Sequence, residues 1–170
     1  IDVDFLWVTD LPGLSLSGAW SFLDTEISGD LIAASGANLK GRQGGFAPDI
    51  SGNVAINWET SLNDSLMLSV SSNIAFKDDY FVGGSSLEPF DAVTNPLGDL
   101  AQDSYTTVDA NISVYPADES WKISLIATNL TDEEYITFAG PAPFRPATGD
   151  DQLVSLNRGR QVFIEAAFKF

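Results

Sequence analysis

Carboxylates are the only chemically active side chains that this sequence carries in number. Asp and Glu total 24 against eight Lys and Arg, the formal net charge is −16, and neither His nor Cys occurs. The missing Cys excludes a disulfide scaffold and thiolate zinc sites. The missing His removes the usual general base, and with it Ser–His hydrolysis and His-ligated metals. Glu59, Asp109 and Glu165 lie in separate segments, and nothing brings two of them to the fixed separation that glycosidase chemistry demands. The chain is therefore read as a non-enzyme, with no catalytic residue and no cofactor. Nucleic-acid binding is excluded as well, because phosphate neutralisation needs Lys and Arg clusters.

Three groups of residues could still bind a ligand. Asp132, Glu133 and Glu134 stand together, and Asp78, Asp79, Glu88, Asp91, Asp99 and Asp103 share a segment without Lys or Arg. Clustered oxygens can hold Ca²⁺, but EF-hand spacing is absent, so a strand end and a solvated acidic loop are the plainer readings and no metal site is assigned. The stretch 138–146 carries Phe138, Phe144, Arg145 and three prolines, which stiffen it and lower the ordering cost of binding. With Arg42, Arg158 and Arg160 it supplies the natural attractants for an anionic or aryl ligand on an acidic surface. Arg42, Phe138, Phe144, Arg145 and Arg158 are the candidate ligand contacts.

These residues must be positioned by strands. Seven segments alternate apolar and polar residues with period two, which places one set on each face of a β-strand. They cover about 1–9, 14–24, 50–60, 66–77, 104–115, 121–130 and 159–170. In the last, Val162, Ile164, Ala166, Phe168 and Phe170 share a face against Gln161, Glu165 and Lys169. Leu6, Val8, Leu23, Met67, Ile126 and Phe163 break the pattern on the polar side, and Gly18 and Ser72 break it on the apolar side. A length near ten residues is what a tilted strand needs to cross a bilayer, whereas globular strands average about five or six. No run approaches the roughly 18 apolar residues of a membrane helix, but a transmembrane barrel hides its lipid face in alternation. Trp7, Trp20, Trp58 and Trp121 fit an interfacial aromatic belt.

Connections supply an independent signal. Short turns rich in Pro, Gly, Asn and Asp (10–13, 61–65, 116–120) alternate strictly with long segments (about 25–49, 78–103 and 131–158). Membrane barrels have short periplasmic turns and long extracellular loops. On that reading fourteen of the 24 acidic residues face outside.

Asn129-Leu130-Thr131-Asp132-Glu133-Glu134-Tyr135 resembles the NLxDxxY signature of TonB-dependent outer-membrane receptors. Gly159-Arg160-Gln161-Val162, leading to Phe170, resembles their closing strand, and Ala47-Pro48-Asp49 is similar to the end of one of their extracellular loops. The resemblance implies the carboxy-terminal part, residues 1–170, of a barrel of about 22 strands whose lumen is filled by a plug domain. It further implies TonB-dependent uptake of a scarce nutrient such as a ferric siderophore across the outer membrane of a Gram-negative bacterium. The implied partners are outer-membrane lipid, the plug of the same parent chain, TonB through the amino-terminal part, the barrel-assembly machinery and the small-molecule ligand. Val162, Ile164, Phe168 and Phe170 would then be the assembly signal.

The expected fold is all-β, a curved open antiparallel sheet of about seven meandering strands. Because residue 1 is Ile and the opening already reads as a strand, the chain is expected to be part of a longer exported protein. Two rival readings are a passive porin-like or adhesin-like barrel and a soluble β-sandwich binding module. The sandwich predicts that the apolar faces pack on one another.

Overall fold

A computed structural model describes residues 1–32, 38, 40–82, 101–141 and 152–169. Seven strands form one antiparallel sheet: β1 (Asp2–Val8), β2 (Leu14–Phe22), β3 (Ile50–Ser61), β4 (Leu66–Lys77), β7 (Tyr105–Pro116), β8 (Trp121–Thr128) and β11 (Gln161–Phe168), in that order. All seven expected segments are strands, with ends shifted by a few residues. Two short ribbons, β5 (Tyr80–Phe81) with β6 (Ala101–Gln102) and β9 (Ile136–Pro141) with β10 (Gln152–Leu156), rise from the long connections. They are additions to the expected fold. The Pro-rich stretch is accordingly not a separate stiff loop at its start, since Phe138 to Pro141 belong to β9.

Local chemistry closes each short turn. Gly13 adopts φ 78°, where a Cβ would run into the Glu59 carbonyl, and the Leu14 N–H donates to the Leu11 carbonyl at 3.1 Å. Asn63 Oδ1 accepts from the N–H groups of Ser65 (2.9 Å) and Leu66 (3.0 Å), and Asp118 Oδ1 accepts from Ser120 N–H (3.0 Å).

Register turns the alternation of single strands into two continuous faces. Along one row Trp7 lies opposite Leu16, Leu16 opposite Ile56; along another, Leu14 faces Trp58, Trp58 faces Val70, Val70 faces Ile112, Ile112 faces Leu125 and Leu125 faces Ile164. The opposite face runs Ser15, Asn57, Ser71, Asn111. A one-residue slip at any pairing would put apolar side chains among the amides and hydroxyls. Gly18 is explained by its neighbours: a Cβ there would lie 2.5 Å from the Phe5 ring, so glycine makes the seat on which that ring lies. Gly52 does the same for Trp20, also at 2.5 Å.

The faces differ in shelter. On the polar face Ser113 and Ser124 are 1% and 2% exposed, whereas the adjacent apolar Ile112 and Leu125 are 46% and 47% exposed. The polar face is thus the concave side and the apolar face the convex one. Among the described residues, extended contact runs only between hydrogen-bonded neighbours, and no second layer covers the convex face. The sandwich reading required one.

Candidate functional site

Three features line the concave side and the loop end of the sheet. The first is a shallow trough of about 260 Å³ bordered by Asn57, Ser71, Asn73, Asp109, Asn111 and Ile126. Polar groups on the same face bond along the wall: Asn53 Nδ2 donates to Asn73 Oδ1 at 2.9 Å, and the Ser113 and Ser124 hydroxyls are 2.9 Å apart. Two of the pattern-breaking residues meet here, since Ile126 lies directly opposite Phe163. Met67 faces Tyr115 nearer the turn end. Ile126 and Phe163 are therefore a pair, whereas Leu6 and Val8 lie opposite Ser17 and Ser15.

The second feature is the NLTDEEY stretch. Asn129 sits at φ 51° and is nearly buried, and its amide works in both directions. Nδ2 donates to the carbonyls of Glu133 (2.9 Å) and Arg158 (3.2 Å), while Oδ1 accepts from Glu133 N–H (3.0 Å). Its own N–H donates to Asp109 Oδ1 at 2.9 Å. Asp132, at φ 59°, accepts the Arg160 N–H at 2.8 Å and pairs with its guanidinium at 3.6 Å. Asn157 answers from the other side, accepting Tyr135 N–H and donating to the Glu133 carbonyl, both at 2.9 Å. The motif is a knot that ties the ends of β7 and β8 to the start of β11. The Asp132 carboxylate is engaged by Arg160 at the strand end.

The third feature lies beyond the knot, where the ribbons meet. Tyr80, Val82 and Ala139 form a buried cluster with Tyr105 and Ile136 packed against it. The Tyr105 and Tyr135 rings stack at 4.2 Å and 6°. Tyr135 thus packs on another ring at the foot of the ribbons. Arg42 lies 5.7 Å from the centre of the Phe81 ring and Lys77 lies 5.5 Å from that of Tyr80.

The fold matches known receptor structures. The ferric yersiniabactin uptake receptor FyuA from Yersinia pestis superposes with a TM-score of 0.72 over 99% of this chain at 17% identity. The siderophore receptor PiuA from Acinetobacter baumannii superposes with a TM-score of 0.60 over 92% at 18% identity. In fold, the seven-stranded antiparallel sheet matches part of the β-barrel of these receptors. This agrees with the resemblance carried by the NLTDEEY stretch and the closing strand, and neither neighbour is an enzyme. The chain spans 23% of the length of FyuA and 19% of that of PiuA. At the level of sequence, no family model and no curated protein matches.

The candidate ligand contacts fall on different elements of the loop end. Arg42 is on the first long connection beside β5, Phe138 is exposed on β9, and Arg158 is exposed in the segment between β10 and β11. Phe144 and Arg145 lie outside the described residues. Of the closing-strand residues, Val162, Ile164 and Phe168 are exposed on the convex face, and Phe170 lies outside the described residues. Sequence reasoning passed over Tyr80, Val82, Gln102, Ala139 and Asn157. The apolar run Tyr80-Phe81-Val82 inside an acidic segment was the available signal for the first two.

Proposed function

We propose that this chain is the carboxy-terminal barrel portion of an outer-membrane receptor that takes up a scarce nutrient, of which a ferric siderophore is the best example, in a TonB-dependent manner. The supporting observation is the apolar convex face, aligned by register over seven strands and, among the described residues, covered by no second layer. Such a face is stable against hydrocarbon, and the antiparallel ladder satisfies the backbone as a bilayer requires. The two named structural neighbours, both siderophore receptors, support the substrate class.

Under this reading the protein resides in the outer membrane of a Gram-negative bacterium. Arg42, Phe138, Phe144, Arg145 and Arg158 contribute to ligand capture. The concave face meets the plug of the parent chain, Val162, Ile164, Phe168 and Phe170 guide assembly, and TonB acts through the amino-terminal part. Ligand uptake by full-length protein in cells with and without TonB is the test. Iron supplied as a ferric siderophore should accumulate only when TonB is present. Accumulation of the same solutes without TonB would make the protein a passive pore.

A further inference from the structure

The most buried hydrophobic side chains among the described residues are not in the wall. They are Val82, Ala139 and Tyr80, which belong to two different long connections. The β5–β6 ribbon has two residues per strand, and β9–β10 has six and five. A lone two-stranded ribbon of this size is marginal in water, so each lacks an interior of its own.

Three contacts across the ribbons supply one. Val82 and Tyr80 pack with Ala139. Gln102, 9% exposed, accepts the Ile136 N–H on Oε1 at 2.8 Å while Nε2 donates to the Asp103 carbonyl at 2.9 Å. Both ends of that amide are satisfied, which fixes its orientation. The Tyr105–Tyr135 stack closes the base. The first long connection joins through Phe46, whose N–H donates to the Phe81 carbonyl at 2.8 Å and whose ring lies 6.2 Å from that of Tyr80. Phe46 sits at φ 56°, a conformation costly for a bulky residue, which the bond and ring contact hold in place.

We infer that β5–β6 and β9–β10 open and close as one cooperative collar, with Val82 and Gln102 as the coupling residues. Opening either ribbon exposes the cluster and breaks the Gln102–Ile136 bond, which removes the support of the other. A ligand that stabilises one ribbon therefore stabilises the other without movement of the wall. The identity of that ligand rests on the function proposed above, but the coupling does not.

Amide hydrogen exchange on the folded full-length protein in detergent tests this with no ligand added, so it is independent of the uptake result. Gln102→Ala leaves the β6 backbone intact. It should raise exchange about tenfold at Thr137–Ala139 and at Val154 and Ser155, in the other ribbon, as well as near Tyr80, while β3, β4 and β7 stay protected. A rise confined to the ribbon that carries the substitution overturns the inference. Val82→Ser and Ala139→Gly give a second reading. Each alone should release both ribbons, and the pair should add little to either; additive, ribbon-specific effects would again refute a shared unit.

Discussion

The wall and the collar handle apolar side chains in opposite ways. In the wall Ile112, Ile123, Leu125 and Ile164 stand exposed on the convex face, with small polar residues sheltered behind them. In the collar Val82 is wholly buried, packed with Tyr80 and Ala139. A surface like that of the wall is unfavourable in water and favourable in lipid, whereas the collar carries the small interior of a water-exposed structure. One chain thus changes its packing rule where the long connections leave β4 and β8. The knot at Asn129 and Asp132 marks that change, binding backbone groups where the wall's ladder ends.

Substitutions can break this contrast. The largest effect is expected for Ile112→Arg on the convex face, about 2–4 kcal/mol if the position lies near the bilayer midplane. The next residue inward, Asn111→Arg, should be tolerated because it joins a polar face. Heat-modifiable migration in detergent separates the two, and equal loss in both would remove the face assignment. Neither should alter exchange in the collar.

Gly18→Val sharpens the picture of the wall. Its methyl groups would displace the Phe5 ring, and overpacking of this kind costs about 1–3 kcal/mol. Gly18→Ser at the same seat should also destabilise, so urea midpoints that match wild type for both would mean the ring does not lie there.

Asn129→Ala tests the boundary between wall and collar. It removes an amide that bonds Glu133 and Arg158 and leaves a residue less tolerant than Asn of the left-handed backbone, for about 1–3 kcal/mol. Asn129→Gly relieves the backbone term alone. If Gly restores full stability, the side-chain bonds contribute nothing. Asp132→Asn should cost less, about 0–1 kcal/mol, because the pair with Arg160 is half exposed.

The smallest effect concerns pH at the opposite end. The Ser120 N–H donated to Asp118 holds that carboxyl below its ordinary value. A depressed folded value means the stabilisation is complete above the unfolded pKa and is lost as pH falls through the folded one. An NMR titration should find Asp118 ionising below a free Asp, with the shift absent in Ser120→Pro, which lacks the donor.

Strand positions were legible because period two is imposed by the backbone itself: side chains of neighbouring residues must point to opposite faces, so a sheet with one apolar and one polar face writes itself into every second letter. Turn chemistry at Gly13, Asn63 and Asp118 was equally local. The exceptions were not. Gly18 looked like a flaw until Phe5, on the paired strand, was seen to occupy its space, and Ile126 looked misplaced until Phe163 lay opposite. The β5–β6 ribbon was not legible for a related reason, since two-residue strands carry too little pattern to stand out within an acidic segment.

By itself the sequence determined which residues share a face, where the chain turns tightly, and that no His or Cys chemistry is available. The tertiary structure decided which faces join, which connections meet, and that Val82 and Gln102 lie against partners from a distant segment. The reason is the range of the forces. Alternation and turns follow from the geometry of adjacent residues, whereas register, ring seats and the collar's interior depend on contacts between residues far apart in the chain.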